Sequence, residues 1–292
     1  MTRLRGTILA AAVPLFLISA CAQTAGNQAA GAADSRVPES AEVSPAADDL
    51  VLRVESFGGF VPAEQNVGRI PAISIYGDGR LISLGPTTAI YPGPALPNIQ
   101  VQMITPEEVR ELVRQGQQAG VRNGTDFGSP NIADAPQTRV TAGDQSVSVM
   151  ALSEAPANDP KLTAAQREAR TKLSAFVKKL QSLPSASGVA NPVPYRPTVL
   201  AALARTFTAP QAGDPASPAK AWPGPALPGD MLNQNIGIGC AEVTGADLPT
   251  VLAAAKDAKA TTPWTSGGAT YAITFRPLLP EEKGCAALKG VR

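Results

Sequence analysis

Most of the side chains that enzymes use for acid–base and nucleophilic chemistry are present in this chain, but one is missing. None of its 292 residues is histidine, the side chain whose unperturbed pKa lies nearest neutrality. Its absence excludes Ser-His-Asp and Cys-His nucleophilic catalysis and histidine-ligated zinc. Ser217 and Lys220 have the Ser-x-x-Lys spacing of penicillin-binding enzymes, but they lie among prolines and lack the companion motifs. Carboxylate, lysine or tyrosine chemistry stays open, and we predict no catalytic residue, no metal ligand and no cofactor.

Cys21 ends the first apolar run, and its position indicates chemistry of another kind. Arg3 and Arg5 precede the mostly apolar residues 8–19, and Leu17-Ile18-Ser19-Ala20-Cys21 closes the run. This layout is typical of a secretory leader, and its end is similar to a bacterial lipobox. In that resemblance a peptidase cuts before Cys21 and lipid is attached to its sulfur. An ordinary cleaved leader and a membrane helix are the alternatives, although the run is shorter than the ~20 residues of a bilayer span.

A flexible tether is predicted for residues 21–48, after the leader of residues 1–20. The segment contains no aromatic residue and cannot bury enough apolar surface to offset its chain entropy. As a coil it would hold the body ~30 Å from the lipid. We therefore expect a protein attached by a lipid anchor to the outer face of the cytoplasmic membrane, within reach of an envelope protein or the cell wall. A net charge of +1 without a basic cluster argues against nucleic acid as a partner.

Cys240 and Cys285 are the two remaining cysteines. In an exported chain such a pair forms a disulfide more often than a metal site or a redox couple. The bond would close a loop of ~45 residues, stabilise the fold by ~4 kcal/mol in the chain-entropy treatment, and pin the C-terminal tail to the body. Two free buried thiols are the alternative.

An α+β domain is predicted at residues 49–183. Gly77-Asp78-Gly79 between two apolar runs indicates a hairpin, because both turn residues of Asp-Gly tolerate positive φ. Thr105 and Thr163 each begin a helical pattern with Glu or Gln three residues later, the arrangement of a capping box. Strands are predicted at 50–54, 72–76 and 80–84 and in two runs within 139–152, and the clearest helix at 163–180.

A second α+β domain is predicted at residues 198–292, after a linker at 184–197 rich in Pro, Ser, Gly and Asn. Its longest helix is expected to start at Thr244, as the N-cap, and to continue to Lys259. Strands are predicted at 236–243 and 270–275, with a proline-rich loop at 211–229. Residues 198–207 are also strand-like, and their alanines leave a helix as the alternative.

A six-residue repeat suggests a relationship between the halves. Pro-Gly-Pro-Ala-Leu-Pro occurs at residues 92–97 and again at 223–228, after Tyr91 in one copy and Trp222 in the other. An internal duplication and a coincidence in a Pro/Ala-rich chain are both open explanations. The expected fold class is α+β, with two small halves that each pack a helix on one face of an antiparallel sheet.

Three aromatic residues are candidates for a binding surface, namely Tyr91, Trp222 and Trp264. All three lie beside prolines. If exposed, they could stack on a sugar or a peptide, whereas buried tryptophans would anchor the core. We expect the core role for the two tryptophans.

Several short motifs together resemble a known group of proteins. They are Leu52-Arg53-Val54-Glu55, Gly58-Gly59-Phe60-Val61-Pro62, Tyr76-Gly77-Asp78-Gly79, Tyr91-Pro92-Gly93-Pro94, Thr262-Pro263-Trp264 and Arg276-Pro277-Leu278-Leu279-Pro280. The chain is similar over residues 50–285 to uncharacterised actinobacterial secreted lipoproteins. The resemblance implies a place outside the cytoplasmic membrane, and it implies no activity, cofactor or catalytic residue.

Three functions remain as hypotheses. The first is a non-catalytic binding or scaffold module of the envelope, which accounts for the tether and the missing histidine. The second is a carboxylate-based hydrolase of cell-wall glycan, which needs two acids about 5 to 9 Å apart across a cleft and a raised pKa on one of them. The third is a carrier of a small ligand, which needs a deep apolar pocket.

Overall fold

Two β-sheets and four α-helices make up the described part of the chain, in a computed structural model that describes residues 45–209, 211 and 217–289. This confirms the predicted α+β class. Both sheets belong to one compact unit, Ser44–Arg292. The helices are α1 (Ala63–Gly68), α2 (Pro106–Gln118), α3 (Ala164–Ser182) and α4 (Asp247–Lys256), and 3-10 turns lie at Leu183–Ser185 and Cys285–Leu288.

The first sheet contains the strands of the N-terminal half. They are β1 (Leu50–Gly58), β2 (Ile73–Tyr76), β3 (Arg80–Leu84), β4 (Ile99–Met103), β5 (Pro136–Ala142), β6 (Gln145–Met150) and β7 (Val193–Pro194). Their order is β6-β5-β1-β2-β3-β4-β7, and every pairing is antiparallel. The predicted hairpin at Gly77-Asp78-Gly79 is confirmed by the pairing of β2 with β3, and β7 lies in the segment that the sequence predicts to be a linker.

The second sheet contains the strands of the C-terminal half. They are β8 (Leu200–Thr206), β9 (Lys220–Ala221), β10 (Asp230–Asn233), β11 (Ile238–Val243), β12 (Pro263–Ser266) and β13 (Ala269–Pro277). Their order is β10-β11-β8-β13-β12-β9. The short pairing of β9 with β12 is parallel, and the other pairings are antiparallel.

Local signals account for the turn and the helix starts that position these strands. Gly79 has φ +87° and lies against the carbonyl oxygen of Ile104, so a side chain would be excluded from this turn. Thr105 caps α2 by accepting a hydrogen bond from the backbone N–H of Glu108 at 3.2 Å. At the start of α3, Thr163 and Gln166 form the predicted reciprocal capping box.

Helices pack on both sheets, and the second sheet is covered on both of its faces. Leucine, valine and phenylalanine side chains of α2 and α3 pack on β1, β2, β5 and β6 to form the first core. In the second sheet, β8 alternates between two cores, as a strand with period two must. Leu200, Ala202 and Ala204 face α4, whereas Ala201 and Leu203 face the layer formed by α1 and the C-terminal segment.

The start of α4 differs from the prediction. The residue before the helix is Ala246, and its side chain makes no capping hydrogen bond. Thr244 is therefore not the N-cap. Its carbonyl accepts a hydrogen bond from the N–H of Asp247 at 3.2 Å, so a turn separates the threonine from the helix.

The repeated hexapeptide does not show that the halves are equivalent. Ala95 and Leu96 of the first copy pack against the second core, and Leu227 of the second copy is part of the same core. The N–H of Ala95 donates to the carbonyl of Ala258 at 3.1 Å, so the first copy crosses to the second sheet. The duplication stays a prediction.

The end of the predicted tether is attached to the body. Arg80 donates to the Ala47 carbonyl at 3.2 Å and pairs with Asp48, while the N–H of Gly77 donates to the Asp49 carbonyl at 3.0 Å. The leader, Cys21 and the tether up to residue 44 lie outside the described residues. Within the described ranges, no helix combines the length and the apolar character that crossing a membrane requires.

Candidate functional site

The residues singled out in the sequence lie in different environments. Tyr91 is 75% exposed. Trp222 and Trp264 are 8% and 1% exposed, with ring centroids 5.7 Å apart in an edge-to-face contact, and both rings also pack on Phe275. The indole N–H of Trp222 donates to the Pro225 carbonyl at 2.6 Å, which satisfies its polar atom inside the core. The two tryptophans therefore do not form a binding surface, and their role in the core is the one expected.

The disulfide fixes the segment that follows β13. Cys240 and Cys285 are bonded, with Cα atoms 6.1 Å apart, which is the predicted pairing. The N–H of Cys285 donates to a carboxylate oxygen of Glu242 at 2.6 Å. Cys285 and Leu288 are buried with Cys240 and Leu203, so the tail is pinned to the outer face of the second sheet.

The same C-terminal segment places Glu281 against the first sheet. One oxygen of Glu281 pairs with Arg53 of β1, and the other accepts a 2.6 Å hydrogen bond from the hydroxyl of Tyr76 in β2. Arg53 also donates to Ser74 at 3.2 Å. Burial, followed by the bond to Glu281, raises the pKa of Tyr76 well above its ordinary value. The tyrosine is thus a neutral donor, and the network joins the tail to the centre of the sheet.

A second pair lies next to the first one in sequence. Arg276 is 2% exposed and donates to Glu282 at 2.7 Å and to the Pro277 carbonyl at 2.5 Å. The other oxygen of Glu282 accepts the N–H of Leu279 at 2.7 Å. Burial raises the pKa of Glu282 and lowers that of Arg276, and in each case the attraction of the partner opposes part of the effect.

A cleft of about 430 Å³ lies between these elements. Residues from both sheets line it, because β1 and β5 form one side while Arg276 of β13 and the pinned tail form another. The loop from α1 to β2 closes the cleft. Its apolar lining consists of Phe57, Val67, Ile70, Pro71 and Leu288.

Two of the residues that line the cleft hold buried polar atoms without a partner. Asn66 Oδ1 and Arg276 Nε have no hydrogen-bond partner in the described part of the chain. An unsatisfied buried donor or acceptor costs about 1–3 kcal/mol, and such atoms in a native fold call for an explanation. Both atoms are closed off from solvent, so a molecule in the cleft does not touch either of them unless the surrounding chain moves.

The carboxylates of the cleft are already engaged. Glu55 pairs with Arg139 at 3.2 Å, and Arg139 also lies over the Phe57 ring at 4.7 Å. Glu282 has the raised pKa that a general acid needs, but both of its oxygens accept hydrogen bonds. Arg276 and the backbone N–H of Leu279 therefore hold the carboxylate of Glu282 in place. Among the described residues, no cluster of three or more carboxylates and cysteines could hold a metal ion.

A second, uncharged groove lies on the first sheet. It has a volume of about 600 Å³ and is bordered by Leu84, Gln100, Gln181 and Pro184. The hydroxyl oxygen of Ser83 is buried there without a hydrogen-bond partner. This groove offers a single orphan group and no charge, so it provides less for recognising a ligand than the cleft does.

The cleft residues were not found by inspecting the sequence. Asn66 and Arg69 lie in and after a six-residue helix without a side-chain cap, and no local pattern marks them. The adjacent acids Glu281 and Glu282 follow an apolar run. The one signal in the sequence was that these two adjacent carboxylates lie close to Cys285, in a tail that a disulfide was expected to pin.

Comparison with known proteins identifies no relative of this chain. No family model, no curated protein and no solved structure matches it. The resemblance to actinobacterial lipoproteins therefore stays a prediction, and the chemistry of the chain rests on the geometry of the cleft.

Proposed function

We propose that this chain is a lipid-anchored envelope protein outside the cytoplasm that binds a small ligand in the cleft without transforming it. The anchoring part rests on the leader pattern that ends at Cys21. The bonded pair Cys240–Cys285 is compatible with an oxidising compartment. Partners would be the membrane, through the lipid, and an envelope protein or cell-wall component.

The observation that supports binding is the cleft itself, which combines an apolar lining with two cations, Arg69 and Lys289, that have no carboxylate partner among the described residues. Small-ligand sites commonly combine an apolar lining with a few polar groups of this kind.

Two features support binding over catalysis. The carboxylates in the cleft serve as acceptors for arginine and backbone donors. The cleft is also held by the disulfide-pinned tail and by the Glu281 network, so its shape is set before any ligand arrives. Preorganisation of this type lowers the entropy lost on binding.

Native mass spectrometry tests the binding function on full-length protein extracted from membranes of the producing cells. We expect a bound small molecule on the wild type and on Ser83→Ala, whose orphan hydroxyl lies in the other groove. Val67→Trp, which fills the cleft from α1, should lack it. The absence of any bound species on the wild type, with no thermal shift on adding a cell-wall extract, would contradict the proposal.

Detergent phase partitioning tests the anchor. Wild type should enter the detergent phase, and Cys21→Ala should stay in the aqueous phase, because the sulfur that carries the lipid is gone. Cys21→Ser is the sterically matched companion. Equal partitioning of all three proteins, or an unacylated N-terminus by mass spectrometry, would refute lipid attachment.

A further inference from the structure

Strand β6 forms an open edge of the first sheet. It pairs with β5 over all six of its residues without a register shift, and among the described strands none lies on its other side. Ser146 and Ser148 are exposed. The strand contains no charged residue and no proline, so it lacks the features that usually keep a sheet edge from pairing with another chain.

The other sheet edges carry such features. Strands β7 and β9 are two residues long, and they include Pro194 and Lys220 respectively. The pairing of β10 with β11 is irregular between Met231 and Asn233. Short length, proline, lysine and bulges each discourage association of sheet edges. Within the described ranges, β6 is therefore the edge best suited to accept a further strand.

The ladder to β5 determines which backbone groups of β6 point outward. The N–H of Ala151, directly beyond the ladder, donates to the Pro136 carbonyl at 2.8 Å. Because bonded and unbonded positions alternate along each side of an antiparallel strand, the odd-numbered residues of β6 bond to β5. The N–H and C=O groups of Ser146, Ser148 and Met150 thus point away from the sheet.

The two serines hold the free backbone groups of this edge. The Met150 carbonyl accepts a hydrogen bond from Arg170 at 2.8 Å, whereas no described residue bonds to the N–H or C=O of Ser146 or Ser148. The loop from α2 to β5 approaches β6, but its hydrogen bonds go to the side chains at the two ends of the strand. Two donors and two acceptors are left unpaired, on residues two positions apart.

We propose that β6 is a dimerisation edge, which pairs antiparallel with β6 of a second copy of this chain about a two-fold axis at Val147. Ser146 of each copy then lies opposite Ser148 of the other, and the two pairs exchange four backbone hydrogen bonds that use every free group of both serines. Because the strand is uncharged, the axis brings no like charges together. The dimer does not depend on a ligand in the cleft.

The side chains on the helix-facing side of the sheet support this register. Ile73, Val54, Val140 and Val147 lie directly opposite one another on the successive strands β2, β1, β5 and β6. All four are buried, and the row ends at the edge. In the proposed dimer the row continues through Val147 of the second copy. A second copy supplies the matching apolar residue and the neutral edge by symmetry, which favours it over a strand of another protein.

Sedimentation velocity of the full chain in density-matched detergent tests the association. A six-residue edge is a small interface, so we expect a monomer–dimer equilibrium with a Kd on the order of 10–100 μM. Ser146→Lys places a charge on the edge, and Ser146→Pro removes a free donor. Each should weaken the dimer by about tenfold or more. Gln137→Lys puts the same charge on an exposed residue of the inner strand β5 and should dimerise like the wild type.

Disulfide trapping tests the register. Val147→Cys places two thiols on the axis, with Cα atoms about 4.5 Å apart, and mild oxidation should give a covalent dimer. With Ser146→Cys, the two thiols lie diagonally across the interface, about 7–8 Å apart, so this variant is the matched control and should crosslink much less.

The outcomes decide the proposal. A wild type that stays monomeric up to about 200 μM, or a dimer that both Ser146 variants leave unchanged, overturns it. Preferential trapping through position 146 overturns the register. Thermal unfolding of Ser146→Lys and Ser146→Pro should match the wild type, since the side chain is exposed and the N–H is free. If either variant is unfolded, trapping through Val147→Cys decides. A monomer that still retains a small molecule would overturn the dimer and leave the proposed function standing.

Discussion

Breaking the Cys240–Cys285 bond should lower both the stability of the fold and the order of the cleft wall. The bonded residues are 45 apart in sequence, and closing a loop of that length stabilises the folded state by ~4 kcal/mol at 25 °C in the chain-entropy treatment. The double variant Cys240→Ser/Cys285→Ser removes the bond without leaving a free thiol. Leu288 and Lys289 of the cleft lie just after Cys285, so the variant should also retain less of the small molecule that native mass spectrometry is expected to detect on the wild type.

Urea unfolding followed by tryptophan fluorescence measures the loss, because Trp222 and Trp264 lie in the core of the second sheet. We expect a midpoint lower by the equivalent of ~4 kcal/mol and a steeper denaturant slope, since the unfolded chain without the crosslink exposes more surface. Wild type in reductant is the matched control and should behave like the double variant. A loss below ~1 kcal/mol in both samples would refute the view that the bond restrains the unfolded chain and secures the tail.

Three further predictions concern the cap, a buried hydroxyl and the aromatic residues. Thr163→Ala removes the capping box of α3 and should lower the free energy of unfolding by ~1 kcal/mol. Thr244→Ala removes no cap and should leave the free energy of unfolding unchanged. Thermal unfolding of both variants measures the difference. Burial, and to a smaller extent the negative charge of a nearby carboxylate, raises the pKa of Tyr195 from 10.0 to about 12. Between these pH values the folded state keeps a proton that the unfolded state loses. The free energy of unfolding should therefore fall as the pH rises from 10 to about 12. Tyr195→Phe should lack that part of the alkaline slope in denaturation measured at several pH values, and an identical slope would contradict the assignment. Trp264→Ala should cost ~3–5 kcal/mol in chemical denaturation because it empties part of the core, while Tyr91→Ala on the surface should cost less than ~0.5 kcal/mol.

Elements with local signals were predictable from the sequence. The β2–β3 turn needs positive φ at Gly79, and the threonine caps of α2 and α3 satisfy backbone donors within three residues of themselves. These interactions depend on neighbours in sequence, so a residue pattern reveals them. The start of α4 was misplaced because a turn at Thr244 also satisfies a nearby backbone donor, and composition cannot distinguish the two arrangements.

Strands and sites that are defined by contacts between residues remote in sequence could not be predicted from local patterns. Strand β10 is four residues long without clear alternation, and pairing with β11 defines it. The cleft is assembled from residues more than 200 positions apart, since Glu55 and Glu282 both line it. The orphan atoms of Asn66 and Arg276 become meaningful only when burial around them is known.

Strand β1 runs from the N-terminal end of the described body to the cleft. The chain that precedes residue 45 enters the body just before Leu50, at the clamp formed by Arg80, whereas Phe57 near the far end of the strand lines the cleft. Seven residues of extended chain span about 24 Å. A mechanical load between a fixed N-terminus and a held ligand would run along this strand, which β2 and β5 flank on its two edges. Hydrogen bonds loaded along the strand in this way share the force and must rupture together, so the first sheet would resist tension between the proposed anchor and a ligand held in the cleft.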